Sequence, residues 1–66
     1  MKIINQKVEH KKFGYGTIFA LKDNKVYVKF GKIFGDRFFA YPDIFASDMI
    51  MCNEDLQEEI LEEIGS

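Results

Sequence analysis

Side chains able to act as nucleophiles, general acids or metal ligands are sparse in this 66-residue chain. His10 is the only histidine and Cys52 the only cysteine, which excludes an internal disulfide, a thiolate zinc cluster and a polyhistidine metal site. No serine or cysteine lies near His10 in sequence, so we interpret it as a hydrogen-bonding group of a turn. Cys52 ends an apolar run and is predicted to be a small buried residue, with a reactive thiol as the alternative. We expect no enzymatic activity, no metal and no cofactor.

Charge is divided along the chain at Pro42, the only proline. Residues 1–41 contain all nine Lys and Arg and three acidic residues, a net charge of +6, whereas residues 42–66 contain eight acidic residues and no basic one. The carboxylates between Glu54 and Glu63 lack the Asp/Asn loop with a central glycine that binds calcium. We interpret them as the solvated face of a helix, with contact to a basic surface as the alternative.

Two groups of residues have the composition of a binding surface. Lysines interleaved with aromatic rings suit nucleic acid, because ammonium groups bind phosphates and rings stack on bases. Those candidates are Lys11, Lys12, Tyr15, Lys25, Tyr27, Lys29 and Lys32. A second group combines apolar side chains with cations, a composition typical of protein contacts. Its members are Lys32, Ile33, Phe34, Arg37 and Phe38.

Short β-rich segments between turn residues must position these groups. Residues 16–21 and 25–30 predict a hairpin with a three-residue loop over residues 22–24, with Asn24 in the left-handed region. This register pairs Ile18 with Val28 and Ala20 with Val26. The residues predicted to point inward are Ile18, Ala20, Val26, Val28 and Phe30. Those on the opposite face are Thr17, Phe19, Leu21, Lys25, Tyr27 and Lys29. A two-residue loop is rejected, because it would place Ile18 opposite Lys29 and break the apolar face.

The chain after this hairpin predicts one more strand, a helical turn and a short last strand. Residues 37–41 form a strand after a tight turn at Gly35-Asp36. Alternation places Phe39 and Tyr41 inward, and Arg37, Phe38 and Ala40 outward. Residues 42–46 predict one helical turn that starts at Pro42 and inserts Phe45 into the end of a barrel. A last strand is predicted over residues 49–52.

The C-terminal segment predicts an amphipathic helix over residues 53–64. Asn53 is a suitable N-cap and Gly65 a suitable terminator. The apolar stripe consists of Leu56, Ile60, Leu61 and Ile64. Acidic residues repeat four apart along the other face, and such like-charge pairs make a helix marginal by itself. We favour packing of Leu56, Ile60 and Ile64 on Phe19 and Tyr27, with an exposed binding surface of these rings beside Lys25 and Lys29 as the alternative. If the helix packs there, its acids would neutralise nearby lysines; otherwise the two charged segments would recruit separate partners.

The stretch from Lys7 to Ile18, K-V-E-H-K-K-F-G-Y-G-T-I, resembles a known small domain. It is similar to the opening of the Tudor-like, SH3-like β-barrel at the C-terminus of UvrD-type DNA helicases, and more loosely to CarD-type barrels. The matching positions are Val8, His10, Phe13, Gly14, Gly16 and Ile18. The motif Phe39-Ala40-Tyr41-Pro42 with Phe45, followed by a helix, also resembles small uncharacterised bacterial domains of clostridial type. The helicase resemblance implies docking onto RNA polymerase, with Arg37 at the position of a contacting basic residue.

These observations predict a mainly β chain with a C-terminal helix. The expected architecture is a single domain, with a five-stranded SH3-like or Tudor-like barrel over residues 6–52 and the helix over 53–64. The leading hypothesis is a non-catalytic protein-interaction module, which the resemblance links to the transcription or DNA-repair machinery of the bacterial cytoplasm. Its partner would be RNA polymerase or a DNA-repair protein. The alternative is direct binding of nucleic acid. No membrane and no small-molecule substrate are expected.

Overall fold

A computed structural model describes residues 2–65. Within them, five antiparallel strands form one open sheet with the order β4-β3-β2-β1-β5. The elements are β1 (Lys7–His10), β2 (Gly14–Lys22), β3 (Lys25–Lys29), β4 (Asp36–Ala40), a 3-10 helix (Asp43–Ala46), β5 (Met49–Met51) and α1 (Glu54–Gly65). The prediction of a mainly β chain with a C-terminal helix is therefore confirmed.

The loop between β2 and β3 differs from the prediction. Lys22 pairs with Lys25, so that Asp23 and Asn24 form a two-residue turn. Both turn residues have positive φ, 54° and 62°, the conformation that a tight hairpin of the type I′ class requires and that Asn and Asp tolerate. The predicted three-residue loop is wrong.

A β-bulge reconciles this turn with an apolar inner face. The register shifts between Ile18 and Ala20, so β2 contains one extra residue, and Ile18 still lies opposite Val28 as predicted. The predicted Ala20–Val26 pair is wrong because the bulge moves Leu21 opposite Val26. Leu21 packs against the core in the place expected for Ala20.

The connection between β3 and β4 is longer than predicted. Lys29 pairs with Asp36, so the segment 30–35 forms the loop and Gly35-Asp36 is not a tight turn. The N–H of Phe30 donates to the carbonyl of Gly35 at 3.0 Å, and the N–H of Gly35 donates to the carbonyl of Gly31 at 2.8 Å. Both backbone groups of Gly35 are thus bonded inside the loop. Ile33, near the tip, is 89% exposed.

The core lies between the inner face of the sheet, the 3-10 helix and α1. Its buried apolar residues are Ile3, Val8, Ile18, Val26, Val28, Phe45, Met49, Met51 and Ile60. The predicted insertion of Phe45 into the core is confirmed. Phe30, Phe39 and Tyr41 are partly buried and pack against these residues, as predicted.

β5 shows why Cys52 is exposed. Met49 and Met51 point into the core, whereas Ile50 between them is half exposed. Alternation along the strand places Cys52 on the side of Ile50, away from the core. The prediction that Cys52 is buried is therefore wrong.

The apolar stripe of α1 packs against the end of the sheet rather than on its outer face. Asn53 caps the helix, since its Oδ1 accepts a hydrogen bond from the N–H of Leu56 at 3.1 Å. Ile60 is buried, while Leu61 remains 42% exposed. Among the described elements α1 contacts only the 3-10 helix and β5. The prediction that α1 covers Phe19 and Tyr27 is wrong.

Two side chains direct α1 to this position. The Oε1 of Gln57 accepts from the N–H of Met51 at 2.7 Å, and its Nε2 donates to the carbonyl of Phe45 at 3.0 Å. The hydroxyl of Tyr41 donates to a carboxylate oxygen of Glu63 at 2.7 Å. Burial is the main cause that raises the pKa of Tyr41, and the hydrogen bond to Glu63 raises it further, so the hydroxyl stays protonated as the donor.

Within residues 2–65, no helix is long and apolar enough to cross a membrane.

Candidate binding face of the sheet

Three aromatic side chains from adjacent strands form a row on the outer face of the sheet. They are Phe19 of β2, Tyr27 of β3 and Phe38 of β4, and we call them the aromatic row. The ring centres of Phe19 and Tyr27 are 6.1 Å apart and those of Tyr27 and Phe38 are 5.6 Å apart. Phe19 is 43% and Phe38 59% exposed. Tyr27 between them is half-buried. Exposed apolar rings such as those of Phe19 and Phe38 are typical of a contact surface.

The strand register explains the row. Tyr27 and Phe38 are direct cross-strand partners, which places both rings on the same face. Phe19 lies in the β-bulge of β2, between Ile18 and Ala20, and bulges commonly redirect a side chain at a functional site. The row consequently runs across the strands rather than along one of them.

Lysines surround the aromatic row. The Nζ of Lys22 lies 5.7 Å from the ring centre of Tyr27, within the range of a cation–π contact. Lys25 and Lys29 lie two residues to either side of Tyr27 in β3 and therefore on its face. On the neighbouring strands, the Nζ of Lys7 lies 5.9 Å from the ring centre of Tyr15.

These lysines are not neutralised by the acidic helix. The ion pair found within residues 2–65 joins Lys2 to Glu59 at 3.7 Å, between largely exposed side chains. The neutralisation that packing of α1 on this face would have produced is therefore not found within residues 2–65. The physical reason is the position of α1, which packs beside β5 and the 3-10 helix and leaves the strands of the aromatic row uncovered.

The residues predicted for nucleic acid are only partly brought together. Lys25, Tyr27 and Lys29 lie in or beside the aromatic row, and Tyr15 lies on the same side of β2. Lys11 and Lys12 are instead in the turn between β1 and β2. There the Nζ of Lys12 lies 5.8 Å from the ring centre of Phe13.

The residues predicted for a protein contact are divided between two faces. Phe38 belongs to the aromatic row, whereas Arg37 lies on the opposite side of β4, where it pairs with the inward-pointing Val28. Arg37 is exposed as predicted, but on the side of Phe39. Its guanidinium carbon lies 4.3 Å from the ring centre of Phe13. The ring of Phe34 also contacts Phe13, at 5.1 Å between centres. Lys32 and Ile33 are exposed in the loop before β4.

Sequence reasoning placed Phe19 beside Tyr27 but expected α1 to cover both, and it missed two participants. Phe38 was not recognised as a member of their row, and Phe13 was not recognised as the ring beneath Arg37. The cross-strand pairing of Tyr27 with Phe38 would have indicated the row, because directly opposed residues share a face. No comparable local signal indicates Phe13, since its contacts come from distant loops.

His10 organises the turn next to this region. It is 6% exposed, and its Nδ1 accepts hydrogen bonds from the N–H groups of Lys12 at 3.0 Å and Phe13 at 3.4 Å. Its ring stacks on Phe39, with the centres 5.0 Å apart. The interpretation of His10 as a hydrogen-bonding group of a turn is confirmed. Burial lowers the pKa of His10, with Lys12 acting in the same direction and Asp48 opposing both.

We expect stability to depend on the protonation of His10. Its pKa in the folded protein lies below the ordinary value of 6.5, so the unfolded chain binds this proton more tightly. The free energy of unfolding is therefore at its full value above about pH 6.5, the pKa of an ordinary histidine. It falls as the pH decreases from there towards the lowered pKa of His10. Urea denaturation between about pH 5.5 and 7.5 measures this slope. His10→Gln should remove it, and a slope that persists in that variant would contradict the assignment.

The described residues do not form a cluster of potential metal ligands. Within residues 2–65, no group of three or more His, Cys, Asp or Glu side chains is placed to hold a metal ion. The face instead presents aromatic rings and lysine ammonium groups, which suit stacking and contact with anions. Comparison with known proteins identifies no matching family model, no matching curated protein and no matching solved structure.

Proposed function

We propose that this protein is a non-catalytic module that binds single-stranded nucleic acid on the outer face of its sheet. The observation that carries the proposal is the aromatic row, in which Phe19 and Phe38 are exposed and Tyr27 is half-buried, beside lysines that form no ion pair within residues 2–65. Each nucleobase has a flat apolar face that stacks on such rings, and each stacked base contributes about 1–3 kcal/mol. The lysines supply the charge that the sugar-phosphate backbone requires.

The ring geometry favours single strands over duplexes. Adjacent rings are inclined by 53° and 42° and lie 5.6–6.1 Å apart. Bases in a duplex are stacked parallel at about 3.4 Å and hide their faces from a protein. Only a strand with separated bases can place one base on each ring. Lys22, whose ammonium group lies over Tyr27, would move from the ring to a phosphate when a base arrives.

The distribution of charge makes this compatible with a net charge of −2. The basic residues lie in the segment that forms β1 to β4, and the acids are concentrated in and around α1. Because α1 contacts only β5 and the 3-10 helix among the described elements, its carboxylates lie away from the strands of the aromatic row. A phosphate backbone on the row would meet the ammonium groups of Lys22, Lys25 and Lys29, opposed on this face by the carboxylate of Asp36, the partner of Lys29 in β4.

For the fold we propose the Tudor-like or SH3-like barrel that the Phe13-Gly14-Tyr15-Gly16 motif resembles. The strand order supports this proposal, because the last strand, β5, returns to pair with β1. The 3-10 helix immediately before β5, which places Phe45 in the core, supports it as well.

The binding proposal is tested by fluorescence anisotropy with a labelled oligothymidylate. We expect a dissociation constant in the range of about 10⁻⁴–10⁻⁶ M, and a steep loss of affinity as salt increases. Unlabelled single strands should compete and a duplex of the same length should compete poorly. Absence of binding at low salt, or equal competition by the duplex, would contradict the proposal.

A second candidate function is docking onto a protein such as RNA polymerase or a DNA-repair protein. It is favoured by Ile33, which is 89% exposed beside Lys32 and Phe34. Ile33→Asp is expected to abolish recovery of such a partner from a bacterial lysate while leaving the binding of oligothymidylate intact. Recovery that is unaffected by Ile33→Asp would contradict this candidate.

A further inference from the structure

A groove at the free edge of β4 connects the two faces of the sheet. It is lined by Phe13, Asp36, Arg37, Phe38 and Phe39. β4 is the first strand in the sheet order and, among the strands that the structure describes, pairs with β3 alone. Phe38, at the end of the aromatic row, lies on one side of this edge and Arg37 on the other. A single-stranded nucleic acid that lies across the aromatic row from β2 to β4 would therefore reach Arg37 after Phe38.

Arg37 is held in position for an anion. Its guanidinium carbon lies 4.3 Å from the ring centre of Phe13, so the ring supports one face of the guanidinium group. Such stacking leaves the N–H groups at the rim free to bind two oxygens of a phosphate. Within residues 2–65 no carboxylate forms an ion pair with Arg37, although Asp36 adjoins it in sequence. Asp36 also lines the groove, but it pairs with Lys29 and by alternation lies on the side of Phe38, not on the side of Arg37.

We infer that Arg37 binds the phosphate of the nucleotide that follows the one stacked on Phe38, at the point where the strand leaves the aromatic row. This inference rests on the proposed function. It extends the site by one phosphate contact beyond the three rings. Arg37 binds the backbone rather than a base, so its contribution is the same for every sequence.

The test compares oligothymidylates of about three to eight nucleotides at several salt concentrations. Arg37→Gln is expected to leave the affinity for the shortest strand unchanged and to lower the affinity for longer strands about fivefold. The slope of log affinity against log salt should fall by about 0.7 for the longer strands, the value of one phosphate contact on a single strand. Arg37→Lys keeps the charge but not the two-pronged geometry, and should give an intermediate affinity with an unchanged slope.

Lys32→Gln is the matched control, because it removes one exposed positive charge close in sequence but outside the groove. We expect a smaller loss that does not depend on strand length. Thermal melting establishes that each variant is folded, and Arg37→Lys provides the measurement if Arg37→Gln does not fold. The inference would be overturned if the folded Arg37 variants bound the longer oligothymidylates with wild-type affinity. It would also be overturned if these variants lost only the recovery of a protein partner and kept their affinity for oligothymidylate. Wild-type protein that binds no oligothymidylate would instead overturn the proposed function.

Discussion

Phe38→Ala is expected to lower the affinity for single-stranded oligothymidylate about tenfold. Phe38 is 59% exposed and forms one end of the aromatic row, 5.6 Å from Tyr27. Its loss removes one stacked base, a contribution of about 1–3 kcal/mol, and a tenfold change corresponds to about 1.4 kcal/mol. Because the side chain contributes little to the core, the melting temperature should change only slightly. Fluorescence anisotropy of the labelled strand measures the effect.

Ile33→Ala is the matched control for this substitution. Ile33 is even more exposed than Phe38, but it lies in the loop before β4 and outside the aromatic row. Its truncation should leave the affinity for the oligonucleotide unchanged. If Ile33→Ala weakens binding as much as Phe38→Ala does, exposed apolar area in general binds the strand and the row has no special role.

Gly16→Ala is expected to destabilise the fold by about 1–3 kcal/mol. A Cβ at residue 16 would lie 2.7 Å from side-chain carbons of both Val28 and Phe30, closer than carbon atoms approach without a shift of the neighbours. Val28 is fully buried and cannot move outward. In a domain of this size the whole core contributes only a few kcal/mol of net stability, about 3–5, so the loss is a large fraction of it. A fall in the melting temperature of about 5–15 °C is the measurable result.

Gly65→Ala provides the comparison, since a Cβ at residue 65 meets nothing within 4 Å. That substitution should leave the melting temperature unchanged or raise it slightly, because alanine favours a helix more than glycine does. Equal melting temperatures for Gly16→Ala and the wild type would show that the sheet tolerates the side chain. The close approach of β2 to Val28 and Phe30 would then not explain why glycine occupies position 16.

The hairpin of β2 and β3 illustrates which parts of the fold were predictable. Alternation of apolar residues correctly paired Ile18 with Val28, because this pair lies on the buried face. The two-residue turn at Asp23-Asn24 was rejected because it shifts the register by one residue. The β-bulge beside Phe19 cancels that shift, and no residue type in the sequence indicates a bulge there. Local pattern therefore predicted the face but not the irregularity that places Phe19 in the row.

The location of α1 depended on contacts that a sequence pattern does not reveal. Helical spacing correctly identified the apolar stripe around Ile60, and Asn53 was correctly identified as the cap. The surface that receives the stripe is determined by Gln57, which bonds to backbone groups of Phe45 and Met51. A single glutamine on a largely polar face gives no such signal. Because α1 lies at the end of the sheet, it leaves the outer face uncovered. This position favours the proposal of nucleic-acid binding over the proposal of a protein contact.

The division of charge at Pro42 has a related explanation. The sequence separated a basic segment from an acidic one, which could either neutralise each other or recruit separate partners. In the folded chain they lie apart, with Lys2–Glu59 the ion pair found within residues 2–65. The acids of α1 lie beside β5 and the 3-10 helix, while the lysines near Tyr27 form no ion pair within the described residues.

An NMR titration of the isotopically labelled protein with oligothymidylate tests most directly whether the aromatic row binds single-stranded nucleic acid. Bases that stack on the aromatic row shift the resonances of nearby protons strongly, so the largest changes are predicted at Phe19, Tyr27 and Phe38. Residues of α1 such as Glu58 and Leu61 should not change. Shifts that are confined to α1 or to the loop around Ile33, with the row unaffected, would contradict the proposal that this face binds single-stranded nucleic acid.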